Sequence, residues 1–362
     1  MGFNFWESKK ILITGHTGFK GSWLSLWLQY LGAEVYGYSS PLPVSAPNLY
    51  EIAQVSKNMD SMYGDILDFC KLQSFIMRIQ PDIIFHLAAQ PLVRESYAEP
   101  IITFSTNVMG TVHLLEAARH VDSIRVVINV TTDKCYENNG QSAQGFKENN
   151  PLGGHDPYSA SKACSELVTS AYEQSFYSNC GKLLSSARAG NVVGGGDWAI
   201  DRIIPDIIRS VISGKLLKIR YPNAIRPWQH VLDCLNGYLL LAENMWESGE
   251  KFIGAWNFGP GDSSILSVEQ LIKECNLHLG NKLEWLCESE THVHEASRLV
   301  LNTEKATTLL DWKPGLNIHQ TIEWTMDWYL DYMNNSIDQK TIQQIKNYEK
   351  IKAAKLPKSK EI

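Results

Sequence analysis

The sequence predicts an α/β fold, a doubly wound parallel sheet with a smaller mixed α/β region on its C-terminal side, on three observations. Short apolar runs alternate with longer helical patterns through the first half of the chain. Those runs are too apolar for strands with one wet face, which suits a parallel sheet covered by helices on both faces. A glycine-rich turn joins the first run to the first helical pattern.

In chain order the pattern gives a strand over Lys10–Thr14, a helix over Phe19–Leu31, and strands over Glu34–Tyr38 and Asp82–Leu87. A helix over Thr103–His120 follows, then a strand over Arg125–Thr131, a helix over Pro157–Ser178 and a strand over Lys182–Ala189. Past Asn191 the pattern turns irregular, with helices near Pro205–Ile212, His230–Trp246 and Val268–Leu279 and strands at Lys215–Ile219 and Ala255–Phe258. The expected division is therefore 1–190, a second region over 191–335 partly interleaved with the first, and a charged helical tail over 336–362. From Lys346 onward that tail reads as a helix end fraying into solvent.

A chain of 362 residues, 44% hydrophobic and 20% charged, can bury the core of one large domain and a smaller partner. The net charge of −6 argues against a nucleic-acid or membrane-surface binder, which needs a basic face. An anionic small substrate would need only a few local arginines. Seven cysteines without a CxxC pair indicate neither a disulfide framework nor a zinc site, and no metal is expected. The start MGFNFWESKK is too polar for a signal peptide, and no run of about 18 apolar residues could span a bilayer, so a cytoplasmic location is expected.

The strand ILIT runs straight into Gly15-His16-Thr17-Gly18-Phe19-Lys20-Gly21 and a helix. This is a dinucleotide turn of the Rossmann type: glycines let backbone N–H groups approach a pyrophosphate, and the helix N-terminus adds partial positive charge. In such sheets the ligand lies beyond the carboxyl ends of the strands, so the residues just after each strand matter most. Tyr158 and Lys162 form a YxxxK pair on one face of a helix. An ammonium held beside a phenol stabilises tyrosinate, which suits Tyr158 to take a hydroxyl proton. Thr132 and Asp133 stand just after the strand that begins at Arg125, a hydroxyl and a carboxyl side by side where ligands of such sheets lie. Arg202, Arg226 and Arg298 stand in separate loops and could converge on one diphosphate.

The GxxGxxG turn, the YxxxK pair and the segments TGHTGFKGSWL, TTDKCY, YSASKA, RAGNVVGGGDWA and RPWQHV span about Lys10 to Pro314. Together they resemble the extended short-chain dehydrogenase/reductase family, in its sugar-nucleotide 4,6-dehydratase branch, and within it the members that act on a CDP-hexose. The resemblance implies NAD held by the glycine turn, by Asp65 and Ile66 at the adenine, by Leu87, Ala88, Ala89 and Gln90 on the nicotinamide side, and by Asn107. It implies Tyr158 as the base at the C4 hydroxyl, Asp133 as the acid at the C6 hydroxyl, and substrate contacts from Gln90, Arg188, Asn191, Arg202, Arg226 and Arg298. The product would be a 4-keto-6-deoxy sugar nucleotide for deoxysugar biosynthesis, with no net consumption of cofactor. Helices Thr103–His120 and Pro157–Ser178 would pair across a two-fold axis into a four-helix bundle, giving a homodimer or a tetramer built from it.

Two departures stand out. Related dehydratases have Glu where this chain has Lys134, and two roles are open to it: base at C5, or stabiliser of the enolate. The second strand ends in Tyr38-Ser39-Ser40 with no carboxylate for the adenosine ribose and no arginine for a 2′-phosphate. NAD is therefore the first expectation and NADP the alternative. Lys20, where the family has an apolar residue more often, either meets the cofactor phosphates or sits in solvent. The rival readings are a sugar-nucleotide 4-epimerase, which needs no acid at C6, and a noncatalytic NAD(P)-binding regulator, which would not need both Tyr158 and Lys162.

Overall fold

The computed structural model describes residues 5–41, 45–138, 145–261, 264–287 and 299–355. The strands in chain order are β1 (Lys10–Thr14), β2 (Glu34–Ser39), β3 (Met59–Tyr63), β4 (Ile83–His86), β5 (Val126–Val130), β6 (Leu183–Arg188), β7 (Val192–Val193), β8 (Leu217–Ile219), β9 (Ile225–Pro227), β10 (Gln229–His230), β11 (Gly254–Asn257), β12 (Ile265–Ser267) and β13 (Trp285–Cys287). Seven of them form one sheet in the order β11-β6-β5-β4-β1-β2-β3, parallel throughout. The order reverses between β1 and β4, which opens a crevice beyond their carboxyl ends. β4 and β5 are buried along their whole length; their residues are apolar except His86 and Asn129, which are also buried.

Two apolar clusters cover the faces of this sheet. One packs Leu72, Phe75 and Ile76 of helix Phe69–Ile79 and Leu114 and Leu115 of helix Gly110–Arg119 beneath Leu12, Ile84 and Val127. The other joins Ile11, Ile13, Phe85 and Ile128 to helix Phe19–Tyr30, helix Val231–Ser248 and the C-terminal helices. β11 lies far along the chain yet pairs with β6, with Trp256 opposite Ala187. The later segments are thus interleaved with the sheet domain, and the small strand pairs β10-β7, β12-β9 and β13-β8 build the second region beside the crevice.

Three readings of the pattern differ from the structure; one is the helix expected over Pro157–Ser178, which is regular to Tyr172 and passes into a π-turn at Glu173–Tyr177. The helix expected over Thr103–His120 begins at Pro100 and is interrupted by a π-turn at Ser105–Met109, which periodicity does not announce. The tail does not fray from Lys346. Helix Lys340–Lys355 buries Ile345 and Tyr348, three residues apart on one face. Tyr348 Oη donates to Asp233 Oδ1 at 2.7 Å. All seven cysteines are free thiols. Among the described residues no helix is long and apolar enough to cross a membrane.

Candidate active site

A cavity of about 890 Å³ opens at the crevice and is lined from both regions of the chain. The glycine turn forms its floor. Gly15 has φ +74°, and a Cβ there would lie 2.7 Å from the Ala88 nitrogen; a Cβ on Gly21 would lie 2.2 Å from the Gly15 oxygen. Only glycine fits either position. Gly18 caps helix Phe19–Tyr30 without a side-chain hydrogen bond, so the first-turn N–H groups remain available to an anion. Thr17, Phe19, Lys20, Asp65, Ile66, Leu87, Ala88 and Ala89 also line the cavity. Thr17 Oγ1 lies 2.7 Å from Ser39 Oγ at the end of β2, where the expected carboxylate is missing. A glycine cradle beside an uncapped helix N-terminus fits a dinucleotide.

Three of the cofactor residues expected from the sequence do not face the cavity. The His16 ring packs against Gly37 and lies edge-on to Tyr50, and burial lowers its pKa to about 4, so it is a neutral packing group. Gln90 is spent on its own loop: its Nε2 donates to Leu92 O and Thr103 Oγ1, and its Oε1 accepts from Leu92 N. Asn107, inside the π-turn, accepts from Gln90 N at 2.8 Å and donates to Gln90 O and Ser161 Oγ. Both therefore shape the loop after β4, and Ala88 and Ala89 beside them face the cavity.

The catalytic candidates converge. Asp156 caps the helix holding Tyr158 and Lys162 by accepting from Ser159 N at 2.9 Å, and Pro157 occupies its first turn. Tyr158, Lys162, Thr132, Asp133 and Lys134 all line the cavity. Thr132 Oγ1 donates to Asp133 Oδ1 at 3.0 Å, and Asn191 Nδ2 donates to Asp133 Oδ2 at 3.4 Å. Gly190 allows the carboxyl to sit there, since any Cβ at that position would overlap Asp133. Burial raises the Asp133 pKa, against the pull of Lys134, the Thr132 hydroxyl, Arg226 and Lys20, which favours the protonated acid. Lys162 Nζ donates to Val130 O at 3.1 Å, and burial, then Lys20, lowers its pKa to about 8. The phenol departs from expectation: burial holds Tyr158 at about 12, above its usual value, with the Thr132 hydroxyl as the largest opposing effect. Lowering it toward neutrality therefore requires charge beyond what these side chains supply.

The arginines separate. Arg188 does not reach the cavity: it is buried in an ion pair with Glu166 at 2.8 Å and donates to Tyr136 Oη and Glu148 O. Glu166 also accepts from Thr131, just after β5, and from Ser186 of β6, so this carboxylate fastens the ends of the two strands and Arg188 neutralises it. Arg202 lines the cavity, paired with Asp197 at 2.8 Å, and Arg226 lines it from β9 with its charge felt at Asp133. Arg298 lies outside the described residues. Asn191, expected at the substrate, lines the cavity and turns its amide toward Asp133. The sequence reading missed Arg94, Lys218, Arg220 and Asp201, which also line the cavity. No motif joined them: Arg94 lies in the helix Val93–Ala98, Lys218 and Arg220 in and just after β8, and Asp201 ahead of the helix Ile203–Ser213.

A crevice at the switch point of a parallel sheet, a glycine cradle and a Thr-Asp-Lys/YxxxK cluster define an enzyme site of the nucleotide-sugar-modifying kind. The chain belongs to the family described as GDP-mannose 4,6 dehydratase, whose profile matches residues 12–325. It is 49% identical over 331 residues to the CDP-glucose 4,6-dehydratase of Salmonella typhimurium, covering 90% of this chain and 92% of that one. The dTDP-glucose 4,6-dehydratase of Haemophilus influenzae is 26% identical, covering 88% and 97%. Among solved structures, dTDP-glucose 4,6-dehydratase from Bacillus anthracis in complex with NAD superposes with a TM-score of 0.74 at 24% identity, over 90% of this chain and 98% of that one. UDP-glucose 4-epimerase from Thermotoga maritima with UDP-glucose gives 0.78 at 22%, over 89% and 99%, so the fold itself is shared with epimerases.

Proposed function

We propose that the chain converts CDP-D-glucose to CDP-4-dehydro-6-deoxy-D-glucose with NAD reduced and reoxidised within each turnover, so that none is consumed. The observation that carries this reading is the Asp133 carboxyl in the cavity, its pKa raised by burial, beside the YxxxK phenol. The 49% identity to a CDP-glucose 4,6-dehydratase supports the nucleotide.

The glycine turn, Thr17, Asp65, Ile66 and the loop over 87–89 would hold NAD, which supplies the hydride acceptor at C4 and the hydride returned to C6. Lys162 stabilises Tyr158 as the phenolate that takes the C4 hydroxyl proton, leaving a neutral phenol. Oxidation at C4 acidifies the C5 hydrogen. Lys134, which lines the cavity, takes that proton or steadies the enolate while Tyr158 or a water takes it, and Asp133 gives its proton to the C6 hydroxyl as water leaves; as hydride returns to C6, a proton returns to C5. Thr132 positions both ends by bonding Asp133 and the phenol. Arg202 and Arg226 meet the diphosphate.

The same reading includes a homodimer. Ile101, Phe104, Met109, Leu167 and Phe176 are exposed apolar residues on the two helical segments expected to pair across the two-fold axis. A dimer mass in solution that becomes monomeric in Leu167→Lys supports it.

The deciding assay incubates the enzyme with NAD and CDP-, UDP-, dTDP- and GDP-glucose and follows the alkali-induced absorbance of a 4-keto sugar. Product from CDP-glucose alone is expected. Asp133→Asn should lose about 100-fold or more of the dehydration rate yet still form NADH in a single turnover. A C4-epimerised sugar with no loss of water would establish the epimerase instead.

A further inference from the structure

Asp201 ties the two lips of the cavity together. Its Oδ1 accepts from Arg94 Nη1 at 3.0 Å and from Arg220 Nη1 at 3.1 Å. Arg94 belongs to the short helix Val93–Ala98 after β4, and Arg220 follows β8 in the second region, so one carboxylate oxygen bridges loops from both parts of the fold. All three residues line the cavity. The bridge is directed by the backbone: Asp201 has φ +59°, and its neighbours are fixed by Asp197, which accepts from Ala199 N and pairs with Arg202.

Two features point to an anionic competitor for this carboxylate. Eight cationic side chains line the cavity against five acidic ones, although the whole chain carries −6. The side chains of Arg94, Asp201 and Arg220 are 50%, 33% and 27% exposed, so the pairs are screened by water and weak. A diphosphate offers a guanidinium two parallel charge-assisted bonds where Asp201 spends one oxygen on two arginines.

We propose that Arg220 is a substrate-diphosphate-binding residue for which Asp201 and the substrate compete, so that substrate entry releases the Arg94–Asp201–Arg220 strap. This rests on the reading that the cavity takes a sugar nucleotide. Arg220 is the member that changes partner, because it is the least exposed of the three and shares the 217–226 stretch with Arg226. Asp201 is then a positioning residue that sets affinity by competition.

The test titrates the full-length enzyme calorimetrically with CDP, UDP, dTDP and GDP. Arg220→Gln should weaken binding of the preferred nucleotide by about tenfold or more, and Asp201→Asn should tighten it several-fold. Asparagine tolerates the left-handed backbone, and a gain of affinity cannot arise from misfolding. Asp201→Asn placed in the Arg220→Gln background should change nothing further. Unchanged affinity in all variants, or weakening in Asp201→Asn, overturns the exchange. A preferred base other than cytosine with the same variant pattern removes the CDP reading and leaves the exchange standing. CDP bound alike by every variant does the reverse, and binding of no nucleoside diphosphate overturns both.

Discussion

Arg188 Nη2 lies 2.8 Å from Glu166 Oε2, and both side chains are almost wholly excluded from water. A residue that the motif RAGN places at a substrate thus serves the sheet. Arg188→Ala leaves the Glu166 carboxylate buried without its cation and should cost about 3–5 kcal/mol of stability. Chemical denaturation measures this, and the double variant with Glu166→Gln should recover part of the loss. A variant of parental stability with weakened substrate binding would return Arg188 to the substrate.

The ribose end of the cofactor site lacks an acid. Thr17 and Ser39 hydroxyls meet at 2.7 Å where a carboxylate would accept two ribose hydroxyls. The enzyme should therefore lose NAD on desalting and need it added back, and Ser39→Asp should tighten NAD binding by about tenfold. Equilibrium fluorescence titration with NAD and NADP checks both points. Protein that retains stoichiometric NAD through purification contradicts the expectation.

Lys162 carries a charge that burial, and then Lys20, disfavour, bringing its pKa to about 8. If that ammonium is required, kcat/KM should fall as pH rises through about 8. Removing a neighbouring cation favours the charged form, so Lys20→Met should move this limb to higher pH. A pH–rate profile under NAD saturation reads the shift; a limb that stays in place would separate Lys20 from Lys162.

Asp233 joins the C-terminal helix to the body of the protein, accepting from Gly315 N at 2.5 Å and from Tyr348 Oη at 2.7 Å. Burial outweighs these bonds and raises its pKa from 3.8 to about 6. Between those values the folded protein keeps a proton that the unfolded chain has released, so stability falls as pH rises through the window, by about 3 kcal/mol. Asp233→Asn accepts the same bonds without a charge. It should abolish this slope and be more stable than the parent at pH 7, as isothermal denaturation across pH would show.

Much of the site was legible because its chemistry is local. GxxGxxG, TTD and YSASK each lie within one turn or one helical repeat, so spacing alone orients their side chains relative to one another. β3 was not legible: Met59–Tyr63 carries Asp60 and Ser61 at a half-exposed sheet edge, with no apolar run to mark it. His16, Gln90 and Asn107 lie within the right motifs but point into packing and loop contacts, a distinction that depends on Gly37, Thr103 and Ser161.

By itself the sequence determined the parallel α/β sheet, the dinucleotide turn and the Thr-Asp-Lys and Tyr-Lys clusters, since short-range periodicity and backbone sterics suffice for each. Tertiary structure alone decided what each arginine does. A guanidinium takes its role from the anion that folding brings to it: Glu166 for Arg188, Asp197 for Arg202, and Asp201 for Arg94 and Arg220. Those partners lie 22, 5, 107 and 19 residues away, and no sequence period connects them.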